Sequence, residues 1–562
     1  MEDKILSNLR LTDLIDIDRD IAPNGVTAIY AGVGAGKNSI VEGYHTDTVD
    51  YRGLSERKRV LLITSRKAKV NETISRNVFL LPDIRMADTI KWDLFEDKSV
   101  ICTNANIQKR IQYDWSPSSD PFWMKFDYIV VDEFHSLVTD ATFASSSFIV
   151  KRFLDEIYET CIEGRAIDEI KTKLLFMSAT PEPAQKLIEK YNPTIIDKRK
   201  EALYIKPKTM RFTYTKLVLS KIKNTLKSGG RVIYYLCRFN NMDDLIQTAL
   251  DAGIKQGEIA VSVSADEQNQ KLKTEYPDIF FNKQIIENSL SEHECIPEQI
   301  KLFITNSKNK EGINIETTVD FIAIEDHSLT DVIQICGRMR NGIDTVEIVC
   351  DAEQHRIVDK YSNECDFQCN YAIRECNNYI DKLIQRYKLN PNKDNIYIND
   401  KIYEYIEYIE FSTKYVKFNP LKHRFEINEC YIEAKRRYDY EMKKFDNLIN
   451  QLKSGKRSFN SGYLKNINIE YDEINDKNEW IKDYFMKHEY RFNETVFEPS
   501  QREELINDLN EYRCNYPGEK NNRPYKQLGS LLKFYNCTIT AYGKHDYGRF
   551  KIILNEPNKD AA

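Results

Sequence analysis

Eight short apolar runs punctuate the chain between Thr27 and Asp351: TAIY (27–30), VLLIT (60–64), YIVV (128–131), KLLFM (173–177), VIYYL (232–236), KLFIT (301–305), FIAI (321–324) and VEIV (346–349). Longer amphipathic stretches separate them. A strand covered on both faces reads as a continuous apolar run rather than an alternating one. Strands of that kind interleaved with helical stretches point to a doubly wound α/β architecture. The series breaks at DKRKEALYIKPKTMR (197–211), which is polar and basic, and then restarts. The expected organisation is therefore two parallel-sheet domains, 1–205 and 206–355, with ligands beyond the carboxyl ends of the strands.

From residue 356 the texture changes. The stretch 377–411 is charged and tyrosine-rich with helical patterning, and 431–455 reads as a long amphipathic helix stopped at Gly455. The region 356–562 is expected to be mostly helical α+β, in one or two accessory domains. A length of 562 residues suits such a plan.

Composition excludes little. The 81 basic and 87 acidic residues leave a net charge of −6, so no global basic excess announces nucleic acid. A local basic track would suffice for that. No run is long and apolar enough for a membrane span, and the first twenty residues lack the apolar core of a signal peptide. A cytoplasmic location and no membrane partner are expected. Twelve cysteines include no C-x-x-C pair. The tightest cluster, Cys365, Cys369 and Cys376, has the ligand types for zinc or an iron–sulfur centre, but residues four apart also share the buried face of one helix, and that reading is preferred.

The chemistry starts at AGVGAGKNS (31–39). Gly32, Gly34, Ala35 and Gly36 lie in a strand-to-helix turn whose N–H groups can wrap phosphates, and Lys37 would reach the β- and γ-phosphates. Ser39 follows. Asn38 stands where a Ser or Thr would hold Mg2+, and offers an amide oxygen instead. Taken alone, the loop is equally compatible with a plain glycine-rich turn. FDYIVVDEFHSL (126–137) then ends a strand in two carboxylates, Asp132 for Mg2+ and Glu133 for the attacking water, with His135 alongside. LLFMSATPEP (174–183) follows, then LFITNSKNKEGINIE (302–316) and DVIQICGRMRNG (331–342), where Arg338 and Arg340 are candidates to neutralise a transferring phosphoryl group.

In that order these segments resemble superfamily 2 helicases of the DExH type (the DEAD/DEAH-box family). Their first motif often reads A-x-x-G-x-G-K-[ST], so Ala31 is no departure, whereas Asn38 is. DEFH resembles the second motif, SAT the third, TNSKNKEGINI the fifth and QICGRMR the sixth. TSRKAK (64–69), ICTNANI (101–107) and RVIYYLCRF (231–239) match further segments. The resemblance covers about residues 25–350. It implies two recombinase-like (P-loop NTPase) domains with ATP clamped between them and a nucleic-acid strand crossing both. Carried over, Lys37 binds phosphate, Asn38 and Asp132 hold Mg2+, Glu133 is the base, His135, Ser178 and Thr180 couple the domains, and Gln334, Arg338 and Arg340 reach the γ-phosphate. Many members read Q-x-x-G-R-x-x-R; here the last arginine is one residue early, which leaves open which of the two is the finger. The shorter form resembles herpesvirus-type replication-origin-binding helicases, and DNA is favoured over RNA.

Expected nucleic-acid contacts are Arg66, Lys67, Thr103, Thr305 and Asn306. RKRVLLITSRKAK (57–69) holds six basic residues and no acid, as either a grip or a solvated charged loop. The end of the chain, 523–554, reads as a helix and then a hairpin, compatible with a winged helix or with a small packed end-piece. Three functions follow: an ATP-dependent helicase or translocase; an ATP-gated clamp that binds without unwinding; or an ATPase subunit of a larger replication or defence assembly, with 356–562 meeting protein partners.

Overall fold

The computed structural model describes residues 9–21, 24–45, 50–77, 79–82, 98–114, 120–142, 144–201, 205–263, 266–306, 314–352, 363–391, 393–459, 463–472, 477–514, 524–535, 537–541 and 549–554. They form two compact units, Met1–Ile449 with Arg457–Glu470, and Asn450–Lys456 with Tyr471–Ala562.

The first unit holds two seven-stranded sheets. In the first lobe the strands are β1 (Val26–Tyr30), β2 (Val60–Thr64), β3 (Leu80–Pro82), β4 (Ser99–Thr103), β5 (Tyr128–Asp132), β6 (Lys173–Ser178) and β7 (Thr194–Asp197), in spatial order β3-β4-β2-β5-β6-β1-β7 and all parallel. Every residue of β1, β2 and β5 is buried, as their uninterrupted apolar sequences require. The second lobe has β8 (Pro207–Thr213), β9 (Val232–Tyr235), β10 (Ile259–Ser262), β11 (Leu302–Thr305), β12 (Phe321–Ile324) and β13 (Ile343–Val349). Its order is β10-β11-β9-β12-β13-β8, closed at the edge by a strand from far along the chain, Asn468–Tyr471.

All eight apolar runs are strands, and the α/β architecture is as expected. Five strands of the two lobes lay outside them: β3, β4, β7, β10 and, most tellingly, β8. Residues 207–213 sit within the polar segment read as a break, yet pair along their length with β13. Their polar groups are satisfied by ion pairs: Arg211 lies 2.8 Å from Glu347, which also takes Lys221 at 2.9 Å.

The helices that matter below are α1 (Lys37–Glu42), α2 (Ser146–Ile157), α3 (Leu329–Cys336), α4 (Asn363–Arg386), α5 (Asp400–Ser412) and α6 (Glu429–Lys453). Cys365, Cys369 and Cys376 share α4; the side chains of the first two lie outside the described residues, and Cys376 packs with Ile380 and Leu383. Strands β14 (Val416–Asn419) and β15 (Arg424–Ile427) form a hairpin, and Asn468–Tyr471 is β16. α6 ends where Gly455 adopts φ +92°, with its N–H donating to Leu452 O.

The second unit contains α7 (Lys477–Lys487), α8 (Gln501–Cys514), α9 (Leu528–Phe534) and the hairpin β17 (Cys537–Ala541) with β18 (Phe550–Leu554). Phe497, between α7 and α8, bridges to Phe550. The apolar core of this unit gathers Phe485, Leu509, Leu531, Tyr535 and Ile552. The expected helix and hairpin near the end are present; residues 542–548 lie outside the described ones.

In the first lobe, α2 carries a buried charge cluster. Asp155 accepts from Lys151 Nζ at 2.7 Å, Tyr191 Oη at 2.6 Å and Arg152 Nη1 at 3.0 Å. Burial works against its charge, but Lys151, Lys190 and Tyr191 hold its carboxyl down at about 2. Lys151 is 1% exposed, so losing its partner strands a buried ammonium. Asp155→Ala is expected to destabilise this unit by about 3–5 kcal/mol, measured by urea unfolding; an unchanged midpoint would mean that Lys151 finds another partner.

Candidate nucleotide site between the lobes

The loop after β1 is tied at both ends. Ala31 N–H donates to Ser178 O at 3.3 Å, and Ala35 O accepts from Leu11 N–H at 2.7 Å, so a segment ahead of β1 braces the turn. Gly34 and Gly36 have φ of +86° and +88°, the left-handed conformation that glycine adopts without strain. Lys37 opens α1 and is buried; its Nζ donates to Ala31 O at 3.2 Å and Gly32 O at 3.4 Å. The loop thus bends back to place the ammonium at the head of β5.

Two buried carboxylates face it. Glu133 takes φ +48°, a left-handed turn residue that is not glycine. Such strain persists where surroundings over-determine it. Its carboxylate stands 3.6 Å from Lys37 Nζ, 3.3 Å from His135 Nδ1, and accepts from Ser178 Oγ and Ala179 N, both at 3.4 Å. Burial alone would favour the acid form; Lys37, His135 and Arg338 outweigh it and hold Glu133 ionised. Asp132 moves the other way: burial and the charge of Glu133 raise its pKa against the pull of Lys69 and Lys37. The adjacent acids are thus driven apart.

The second lobe closes this site from the other side. Gln334, fully buried on α3, donates from Nε2 to Thr180 Oγ1 at 2.9 Å, a hydrogen bond between the lobes. Thr180 N in turn donates to Ser178 Oγ at 3.0 Å, and Ser178 Oγ lies 2.9 Å from His135 Nδ1. Arg338 Nη2 is 4.0 Å from Glu133 Oε1 and 3.4 Å from Gln334 Oε1. Gly337 lies against the glycine loop so closely that an added Cβ would stand 2.2 Å from Val33. A Cβ on Gly34 would stand 2.9 Å from Arg340 Nη1.

Between the lobes is a cavity of about 630 Å³, lined by Gly34, Gly36, Lys37, Asn38, Ser39, Asp132, Glu133, Arg338 and Arg340. That is within the range of small-molecule sites. A hard divalent cation fits the donors: Asp132 Oδ1 is buried and accepts no hydrogen bond, and Asn38 and Ser39 line the same cavity.

The expected nucleic-acid residues are placed differently from one another. Arg66 lines this cavity and pairs with Asp140 at 2.9 Å. Thr103 ends β4 and caps the following helix. Thr305 ends β11, buried, with Oγ1 donating to Ser262 O at 3.0 Å; Asn306 is next to it and also buried. The Lys67 side chain and residues 307–313 lie outside the described residues. Within the basic run, Arg57 pairs with Asp18 at 2.9 Å and Lys69 with Glu42 at 3.1 Å, acids that lie outside the run itself. Motif reading missed Glu42, the cavity-lining partner of Lys69, and Arg10, whose guanidinium sits 4.3 Å over the Tyr44 ring beside it. Neither Glu42 nor Arg10 falls in a recognisable pattern.

No family model and no curated protein sequence matches the chain. Among solved structures it is similar to the Escherichia coli DEAH/RHA helicase HrpB (TM-score 0.38, 11% identity, covering 60% of this chain and 42% of that one). It is similar also to S. cerevisiae Dbp5 bound to RNA and ADP BeF3 (0.37, 13%, 60% and 83%) and to the DUF1998 helicase MrfA bound to DNA and AMPPNP (0.38, 14%, 58% and 46%). The chain thus spans less than half of the HrpB and MrfA chains.

The Gly337–Val33 contact makes a prediction. Overpacking costs about 1–3 kcal/mol, so Gly337→Ala is expected to weaken binding of a fluorescent adenine nucleotide by about ten-fold or more. Gly257→Ala, in open space, should leave it unchanged. Equal affinities in titration would show that the turn at Val33 absorbs the added methyl without moving the groups on the loop that bind nucleotide.

Proposed function

We propose that this chain is a nucleic-acid-stimulated ATPase of helicase type, coupling ATP hydrolysis to movement on, or unwinding of, DNA or RNA. The observation that best supports this reading is the Glu133 carboxylate lying between Lys37 of its own lobe and Arg338 of the other.

In this reading the phosphates lie along Gly32 to Lys37, taking backbone N–H groups and the lysine ammonium. Asp132 and Asn38 would hold Mg2+, which supplies charge neutralisation on the phosphates. Arg338, already facing Glu133, is assigned as the finger that meets charge developing on the γ-phosphoryl group, with Arg340 beside the loop. Glu133, held ionised, would orient the attacking water and accept its proton. Gln334 and Thr180 join the lobes only when they are apposed, and Ser178 and His135 connect that bond to Glu133. Opening on product release would break this chain of contacts. A nucleic-acid strand would run past the carboxyl ends of β4 and β11, near Thr103, Thr305 and Asn306, with Arg66 and Lys67 as further contacts.

The lobes correspond in this proposal to 1–205 and 206–355. The element order of the second unit, helix, bridging residue, two helices, hairpin, supports reading it as winged-helix-like. No helix among the described residues is long and apolar enough to cross a membrane. The amide at Asn38 supports a second reading, an ATP-gated clamp that binds without unwinding.

The test is ATPase activity with and without single-stranded DNA and RNA. Stimulation is expected, and its absence on every strand would count against the proposal. Glu133→Gln should lower turnover by about 10²–10⁴-fold while nucleotide affinity is kept. Asn38→Thr distinguishes the readings: a clear rise in turnover, with strand displacement absent in the parent, favours the clamp, whereas unchanged turnover shows that the amide already serves.

A further inference from the structure

Helix α6 is rooted in one lobe and ends its contacts on the other. At its start, Cys430 and Ala434 belong to the apolar core of the first lobe, and Cys430 Sγ donates to Ser147 O at 3.7 Å. Arg152 of α2 lies 2.9 Å from Glu426 and 3.5 Å from Glu429. Further along, Phe445 is 2% exposed and packs on the second lobe. Its ring stacks on His327 with centroids 4.2 Å apart and planes at 5°, and it reaches Phe212 of β8 at 6.1 Å. The helix between Ala434 and Phe445 spans roughly 16 Å at its standard rise.

The landing point is next to the site. His327 Nε2 lies 2.9 Å from Val349 O, so the ring is fixed to the sheet. Ser328, the next residue, caps α3 by accepting from Asp331 N. That helix carries Gln334 and leads into Gly337 and Arg338.

We infer that α6 is a strut between the lobes, with Phe445 as a positioning residue that sets where Gln334 and Arg338 stand relative to Glu133. This deepens the ATPase reading and rests on it for its kinetic arm. A continuous helix resists bending, so its rooted end defines where its far end can hold the second lobe. Removing the ring frees the end of α3 nearest the sheet without touching phosphate-binding groups. The loss should therefore fall on turnover, which needs the arginine in place, and not on nucleotide binding, which the first lobe's loop dominates.

Three variants test it: Phe445→Ala; Phe445→Tyr, which keeps the ring; and Tyr440→Pro, at an exposed mid-helix position where proline breaks the strut without removing a core side chain. Measured for each are kcat, KM for ATP, the melting midpoint, and the distance between fluorophores carried by unnatural amino acids at Lys171 and Lys255, exposed on opposite lobes. Expected for Phe445→Ala and Tyr440→Pro is a fall in kcat of about ten-fold or more with KM within about three-fold, and a broadened inter-lobe distance. Phe445→Tyr should keep both near the parent. Parent-like kcat and distance in Phe445→Ala would overturn the inference, as would a kcat loss that follows the melting midpoint across all three. A parent with no ATPase activity would sink the functional reading, while the distance measurement still decides the strut.

Discussion

A buried carboxylate facing cations from two different lobes is the interaction on which the site depends. Glu133 has lost most of its water, and its charge is tolerable only because Lys37, His135 and Arg338 surround it. Two of those partners come from the first lobe and one from the second. Apposition of the lobes and completion of the site are therefore one event. The contact of Gly337 with Val33 and the Gln334–Thr180 bond make that apposition intimate: a backbone without a side chain meets the glycine loop directly, and a buried amide is satisfied across the seam.

The accessory region is built into this arrangement. The β14–β15 hairpin and the start of α6 are bound to α2 through Arg152, the same residue that joins the Lys151–Asp155 cluster. β16 extends the second sheet beyond β8, where Arg211 pairs with Glu347. Segments more than two hundred residues from the elements they meet thus contribute to the core of one lobe and the edge of the other. The result is a pair of lobes with a second physical connection besides the chain between β7 and β8.

How much was legible follows from what each element needs. Strands buried on both faces must be apolar throughout, so β1, β2, β5, β6, β9 and β11 declare themselves. β8 does not, because its polar residues are neutralised by Glu347 and other groups distant in sequence. The same reason hid the partners of the basic run at 57–69. Its acids, Asp18, Glu42 and Asp140, lie elsewhere in the chain, and only folding brings them within 3.1 Å of Arg57, Lys69 and Arg66.

Local chemistry is written in order along the chain: a glycine turn ahead of a lysine, two acids at a strand end, a short hydroxyl motif, a glycine followed by two arginines. Sequence by itself determined those residue types, the α/β class and the long helix stopped by Gly455, because each rests on interactions within a few neighbours or on a repeating period. Only the tertiary structure decided that Glu133 stands between Lys37 and Arg338, that Asp132 and Glu133 are driven to opposite protonation tendencies, and that Phe445 lands on His327. Those depend on distances between segments far apart in the chain, which no local pattern encodes.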